Sequence, residues 1–238
     1  MMRYKLYFDL ENENISIQYR KSILSFIKKS LQEYDNEKFK LFYNEKDNII
    51  KPYTFAIFFR NSIFKGDEII VGSKTVEMNF STYDYESGVI LYNAFNHQKN
   101  KKFSLNKNSM TLRNIILVPE KDIVGSEATI KFLSPLVVRE RENNKDYYYS
   151  FNDENFLITL RNNIKNQLSI SNLPLEYVNE FSIEPVKAKK AVIKFYEKKI
   201  ETSLGIYIIH GNPELLDYLY KTGMGSKHSS GFGMFDLI

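Results

Sequence analysis

Residues 3–10, RYKLYFDL, put Tyr4, Leu6, Phe8 and Leu10 on one side and Lys5, Tyr7 and Asp9 on the other. That period of two predicts a strand with one buried face. Between Ile17 and Tyr34 the period changes. Tyr19, Ile23, Phe26, Ile27, Leu31 and Tyr34 recur at helical spacing, with Arg20, Lys21, Lys28 and Lys29 off that face. Strand-like segments follow at 38–43, 53–60 and 68–80. A second helix is expected over 82–96, with Tyr85, Val89, Tyr92 and Phe95 on one side despite Gly88. Residues 110–118 read as a closing strand. Strand, helix, strands, helix, strand is the grammar of a ferredoxin-like domain with an extra hairpin.

The segment PEKDIVGSE, residues 119–127, is polar and carries Pro and Gly, so the domain junction is expected there. This divides the chain into residues 1–120 and 121–238. The second half repeats the grammar without repeating the sequence. ATIKFLSPLVVR is strand-like, with Pro135 at an edge or bulge. NDENFLITLRNNIKNQL is helical, with Phe156, Leu157, Leu160, Ile164 and Leu168 on one stripe and Asn152 as its cap. Strands are expected at 180–196 and 203–209. A short helix then starts with Asn212 as cap and Pro213 at its first position, and GMFDLI closes the chain. The reading is an α+β protein of two tandem ferredoxin-like (RRM-like) domains.

The chain has 238 residues, 43% of them hydrophobic and 26% charged, enough to bury a core in each half. Without cysteine, disulfide frameworks and thiolate metal sites are excluded. The N-terminus turns acidic after ten residues and lacks a signal-peptide apolar region. No apolar run is long enough to span a membrane, so a soluble cytoplasmic protein is expected. The formal charge of +4 permits a nucleic-acid partner without requiring one.

One stretch stands apart. Four of the ten glycines fall between Gly223 and Gly233, around Ser226, Lys227, His228, Ser229 and Ser230. Glycine permits φ > 0 and close approach of a ligand, and successive exposed N–H groups form an anion-binding nest. Lysine and serine add phosphate donors. A helix C-cap at Gly223 accounts for one glycine without any ligand.

With these pieces in order, the chain resembles the CRISPR-associated repeat-RNA processing endoribonucleases of the RAMP superfamily. GMGSKHSSGFGMF (223–235) resembles the family's glycine-rich loop, FLSPLVVR (132–139) its strand opening the second domain, and KPYTFAIFF (51–59) a segment of the first. With GNPELLDYLYKTG before the loop, the resemblance covers essentially the whole chain. It implies binding of CRISPR repeat RNA and metal-independent cleavage by the ribose 2′-OH on the adjacent phosphate. That chemistry needs a base for the 2′-OH proton, an acid for the 5′-oxygen leaving group and a cation near the developing phosphorane charge. Many relatives use a histidine just after the first helix, with a lysine and a tyrosine. Here KFKLFYNEKDNIIKPYTF contains no histidine. Lys51 matches the lysine, Tyr43 or Glu45 falls near the histidine position, and Ser25 falls near the helix tyrosine. A phenol, with an ordinary pKa of about 10, is a poorer proton-transfer group near neutrality. Lys51 beside it would lower that value.

The three histidines have no metal-ligand spacing, and neither a metal nor another cofactor is expected. His97 sits in a basic stretch, His210 ends a strand, and His228 lies within the glycine loop where a phosphate contact is expected. In VKAKKAVIKFYEKK (186–199) a single strand would put Lys190, Lys194, Tyr196 and Lys198 on one face. Such a face suits the phosphate-lined groove of A-form RNA, and equally protects an edge strand. The RNA-binding set is therefore Gly223, Gly225, Ser226, Lys227, His228, Ser229, Gly231 and Gly233, with Lys131, Arg139, Lys190, Lys194 and Lys198. Other subunits of a CRISPR interference complex are further partners the resemblance implies, with the chain a monomer or homodimer. Two alternatives stay open: a catalytically silent RNA-binding subunit of the same family, and a ferredoxin-like ligand-binding or oligomerisation module unrelated to nucleic acid.

Overall fold

β1, Met2–Leu10, buries Tyr4, Leu6, Phe8 and Leu10 as its alternation requires. The structure, a computed structural model, describes residues 2–43 and 49–238. Glu45 lies outside the described residues. The chain divides into two compact units. The first comprises Met1–Lys51, Ile57–Pro119 and Lys194–Tyr196, and the second Pro52–Ala56, Glu120–Ile193 and Glu197–Ile238.

In the first unit, β2 (Asn14–Ser16) precedes α1 (Tyr19–Tyr34) and α2 (Asn36–Phe42). Then come β3 (Tyr53–Phe59), of which Ile57–Phe59 lies in this unit, β4 (Ser62–Lys65), β5 (Glu68–Val71) and β6 (Thr75–Thr82). α3 (Tyr85–His97), β7 (Lys102–Leu105) and β8 (Asn108–Leu117) complete it. The main sheet has the order β3-β6-β1-β8-β7, and a small sheet has the order β2-β5-β4. β1 runs antiparallel to both β6 and β8, with Leu6 opposite Met78 and Ile115. Both long helices feed one aromatic core. Phe26 of α1 lies 5.2 Å from Phe8, 6.0 Å from Phe95 and 5.4 Å from Phe103, ring centre to ring centre. The contacts with Phe8 and Phe103 are edge-on and that with Phe95 is stacked, and such pairs add to the hydrophobic gain of burying each ring.

Three expectations for this unit need correction. Residues 38–43 were expected as a strand, but Asn36–Phe42 is helical. The Asp35 carboxylate caps it, accepting from Glu37 N at 2.8 Å and Lys38 N at 3.1 Å. The alternation of Lys38, Phe39, Lys40 and Leu41 is too short to outweigh that cap. On α3 the buried face is Ile90, Leu91, Ala94 and Phe95, whereas Tyr85 is 68% exposed. Gly88 fits because Tyr4 Oη donates to its carbonyl at 2.5 Å and a Cβ there would meet the Met2 side chain. Arg20, placed off the apolar face, is buried with its guanidinium 4.7 Å over the Tyr19 ring.

The second unit contains β9 (Glu127–Phe132), β10 (Val138–Glu142), β11 (Lys145–Tyr149) and α4 (Phe156–Leu168). β12 (Ser182–Phe195), β13 (Lys198–His210), α5 (Pro213–Thr222) and β14 (Phe235–Leu237) follow. Its sheet has the order β12-β13-β9-β14, and β10 and β11 form a separate hairpin. The run ATIKFLSPLVVR is therefore two strands. The break falls at Ser134 and Pro135, where Ser134 Oγ accepts from Met234 N at 2.9 Å and Pro135 O accepts from Gly233 N at 2.8 Å. α4 starts later than expected, after Asn155 rather than Asn152. α5 begins as expected, with Asn212 Oδ1 accepting from Glu214 N at 2.9 Å and Pro213 in the first turn. Among the described residues no helix is long and apolar enough to cross a membrane.

The end of the chain is built around close backbone approach. Gly233 has φ +65°, and a Cβ there would overlap the Met224 carbonyl oxygen. That carbonyl cannot retreat far, because Met224 N is itself bonded to Gly233 O at 2.9 Å. Gly233→Ala is expected to lower unfolding free energy by about 3 kcal/mol, measured by urea denaturation, since strain and overlap act together.

Candidate functional site

α4 buries two side-chain amides along with its apolar stripe. Asn163 and Gln167 stand one helical turn apart and are 9% and 3% exposed. Asn163 Oδ1 accepts from Arg139 N at 3.0 Å and its Nδ2 donates to Arg139 O at 2.7 Å. Gln167 Nε2 donates to Gly223 O at 3.0 Å, and its Oε1 accepts from Gly225 N at 2.9 Å. One helix face thus holds the backbone of β10 and the backbone of the glycine loop. A buried amide that satisfies both its ends fixes position as well as stability.

The loop's own hydrogen bonds correct the nest expected at its glycines. Gly223 N donates to Leu219 O at 2.8 Å, Gly231 N to His228 O at 3.2 Å and Gly233 N to Pro135 O at 2.8 Å. Ser226 N donates to Val137 O at 2.8 Å. These amides already have protein acceptors, so they do not form an anion cradle. The four glycines are buried and have positive φ. Cβ atoms would meet Thr54 Oγ1 at 2.6 Å from Gly223, Val137 O at 2.6 Å from Gly225 and the Phe55 ring at 2.5 Å from Gly231. Glycine is concentrated here to let the chain pass against Thr54, Phe55 and Val137. His228 is also redirected. It is 6% exposed, with Nδ1 3.1 Å from the Tyr53 carbonyl, to which only a protonated Nδ1 can donate. Thr54 Oγ1 lies 3.2 Å from both His228 O and Phe232 O, bracing the same turn.

What the loop presents outward is its middle. Ser226, Lys227 and Ser229 are half-buried, and Lys227 takes a left-handed conformation, φ 61°. Its ammonium shares an electrostatic neighbourhood with Arg139 of β10, Lys198 of β13 and Asp146 of β11. Arg139 Nη1 lies 3.4 Å from Asp146 Oδ1, and Lys198 Nζ lies 2.9 Å from Asp146 Oδ2. Three cations from three separate segments therefore face one carboxylate, whose side chain is only 14% exposed. Burial, and then the Arg139 charge, hold the Lys227 ammonium below the usual lysine range. The Lys198 hydrogen bond, with Arg139 and Lys227 behind it, holds the Asp146 carboxyl below its usual range. Burial and Asp146 push the Tyr148 phenol up. Excess positive charge at a partly desolvated site attracts an anion. Lys227, Arg139 and Lys198 were singled out in the sequence; Asp146, Asn163, Gln167 and Tyr148 were not, and no local pattern marks them.

The lysine face expected along 186–199 is not continuous. The hairpin turns at Tyr196, φ 53°, and Glu197, so Lys198 belongs to β13 while Lys190 and Lys194 belong to β12. Lys190 and Lys194 each have an acidic partner, whereas Lys198 shares Asp146 with Arg139. Lys190 lies 2.6 Å from Glu201 and Lys194 lies 3.3 Å from Asp67. Lys131 is exposed on β9, in register with Ile206 and Asp236.

In the first unit, the capped helix α2 delivers Tyr43 at its C-terminus, where the ring stacks on Phe39 at 5.3 Å. Lys51 Nζ sits 4.8 Å from the Tyr43 ring centre and donates to Ile49 O at 3.1 Å. Lys28 Nζ, from α1, sits 5.0 Å from the same ring centre. The structure thus brings together Tyr43 and Lys51 and adds Lys28, which the sequence had marked only as off the apolar face. Burial, and then the Lys28 charge, hold the Lys51 ammonium below the usual lysine range. Ser25 is exposed one helical turn before Lys28. Among the described residues no group of three or more His, Cys, Asp or Glu is placed to hold a metal ion.

The comparisons identify the class of protein. The chain has the fold of the RAMP proteins, two ferredoxin-like domains. The protein of a Cas6-related gene from Pyrococcus furiosus matches all of this chain and 98% of its own, at 23% identity and a TM-score of 0.86. A RAMP protein binding different RNA substrates matches over 100% of both chains, at 24% identity and a TM-score of 0.85. A Cas6 product complex matches all of this chain and 99% of its own, at 13% identity and a TM-score of 0.73. No curated protein sequence matches. Residues 118–237 match the family model described as CRISPR associated protein Cas6, C-terminal. The chain belongs to the Cas6 family, the endoribonucleases that process CRISPR RNA.

The cation cluster makes two opposite predictions. Asp146→Asn removes the carboxylate that competes with an incoming phosphate, so affinity for repeat RNA is expected to rise. Lys227→Ala is expected to lower it and to make the salt slope shallower by about 0.7–0.9 for one lost phosphate contact. Fluorescence anisotropy at several salt concentrations checks both. Because the Asp146 carboxyl is held low, its stabilising contribution is complete above the usual carboxylate range. It is lost only as pH falls through the lowered value.

Proposed function

We propose that this chain binds CRISPR repeat RNA and cleaves the precursor within its repeats, without a metal, by attack of the ribose 2′-OH on the neighbouring phosphate. The products are a 2′,3′-cyclic phosphate and a 5′-OH. The observation that carries this reading is the meeting of Lys51, Tyr43 and Lys28 in a chain whose family processes CRISPR RNA. Cleavage by an internal 2′-OH needs proton transfer and a cation for the phosphorane charge, and side chains supply both. Lys51 is the residue nearest that charge in this reading. Its half-buried position strengthens its attraction for a developing negative charge.

Binding rests on the second unit. The Lys227, Arg139 and Lys198 cluster takes a backbone phosphate in competition with Asp146. Ser226 and Ser229, beside Lys227, supply hydroxyl donors. Lys131 and Lys190 add sequence-independent attraction for the duplex backbone. The glycines and His228 contribute by holding the loop in shape. Two of the structural relatives support the assignment, one a RAMP protein that binds different RNA substrates and the other a Cas6 product complex.

Incubation with repeat RNA in EDTA tests the reaction. Cleavage is expected to persist, with a cyclic phosphate on the upstream fragment, and to vanish when the 2′-OH at the cut site is replaced by hydrogen while binding is retained. A requirement for Mg²⁺ with 5′-phosphate products would overturn the mechanism. Binding without any cleavage would make the chain a silent RNA-binding member of the family.

A further inference from the structure

Two amines over one aromatic ring is an unusual arrangement. Lys28 Nζ and Lys51 Nζ lie 5.0 Å and 4.8 Å from the centre of the Tyr43 ring. Among the described residues neither lysine is ion-paired. The attraction of each ammonium for the ring face offsets part of their mutual repulsion. Phe39 stacks on the same ring and limits its movement.

The two amines differ in surroundings. Lys51 is half-buried and already donates to the Ile49 carbonyl, while Lys28 is exposed on α1. Crowding by a second ammonium and loss of water both favour the neutral form of the buried amine, and the Lys51 ammonium is held low by those two causes. An amine whose neutral form is favoured, sharing one ring with a second lysine, offers the two proton-handling groups that cleavage by a 2′-OH requires.

Resting on the nuclease reading above, we propose that Lys28 is a catalytic residue, the acid that protonates the departing 5′-oxygen, while the Lys51 amine is the base. In this step the 2′-O–H bond breaks and its proton passes to Lys51 Nζ. The 2′-oxygen forms its bond to phosphorus as the P–O5′ bond breaks. The 5′-oxygen takes a proton from the Lys28 ammonium. Lys51 ends charged and Lys28 neutral, and exchange with water restores both. Lys51, once protonated, stands beside the phosphorane as the cation. The missing histidine is thereby replaced by a lysine pair.

A substrate with sulfur in place of the 5′-bridging oxygen tests the assignment, because a departing thiolate needs no acid. Single-turnover cleavage of ordinary repeat RNA is expected to slow about 10²-fold in Lys28→Ala. The same variant is expected to cleave the 5′-thio substrate near the rate of the unaltered chain. Lys51→Ala should be slow on both. Lys28→Arg keeps the charge but not a usable acid, so it should behave like Lys28→Ala. Equal slowing of Lys28→Ala on the two substrates, full speed on RNA, or full rescue by arginine would overturn the role of Lys28 and leave the nuclease reading intact. If the unaltered chain cleaves neither substrate, both readings fall together. Thermal midpoints equal to that of the unaltered chain for Lys28→Ala and Lys28→Arg confirm that an exposed lysine was replaced without unfolding the unit.

Discussion

The second unit depends on the double hydrogen bond of Gln167. Its amide spans from Gly223 O to Gly225 N at the start of the glycine loop. Without it, the buried Gly225 N–H would lose its acceptor, costing about 1–3 kcal/mol, and Gly223 O would keep only the longer hydroxyl contact from Thr222 at 3.2 Å. Asn163, one turn earlier, does the same for both backbone groups of Arg139. A single helix therefore sets where two of the three clustered cations leave the backbone. That is a rigid way to assemble like charges that would otherwise separate.

The charge arrangement in each unit follows one physical logic. Lys227 and Lys51 both sit where burial and a neighbouring cation disfavour the ammonium. Folding keeps these groups in place because the surrounding backbone is fixed by other interactions, the glycine loop in one case and the capped helix α2 in the other. The local cost is offset by the rest of the core. Such a site gains when an anion arrives, since a phosphate relieves the repulsion that folding imposed. In the second unit Asp146 supplies part of that relief beforehand, and so tempers the attraction.

Much of the fold was legible because it rests on periodicity and capping. Tyr4, Leu6 and Phe8 alternate and are buried; Ile23, Phe26, Ile27 and Leu31 keep helical spacing and are buried. Asn212 and Pro213 mark the start of α5. The misread segments have local reasons. Residues 38–43 alternate like a strand, but the Asp35 cap two residues upstream of Glu37 wins. The lysines of 186–199 count as one face only if the strand continues, and it turns at Tyr196. Of the candidate site, Tyr43, Lys51, Lys227, Arg139 and Lys198 could be named from the chain. Their partners could not, because Lys28, Asp146, Asn163 and Gln167 look like ordinary polar residues on the surfaces of helices and strands.

The glycine cluster marks the boundary between the two kinds of information. The sequence by itself determined that residues 223–233 follow a helix and enter a final strand, with a backbone only glycine can supply. It also determined that residues 38–55, around Tyr43, contain no histidine, since that is a matter of which residues are present. Only the tertiary structure decided what the glycines are for. Thr54, Phe55 and Val137 come close enough to exclude a Cβ, and loop amides are taken by Pro135, Val137 and Gln167. Likewise only the fold decided that His228 turns inward to the Tyr53 carbonyl and that Lys28 shares the Tyr43 ring with Lys51. Backbone conformation is a short-range property and is written in neighbouring residues. Which distant groups compete for a given N–H, ring face or charge is set by packing, and packing joins residues that the sequence keeps apart.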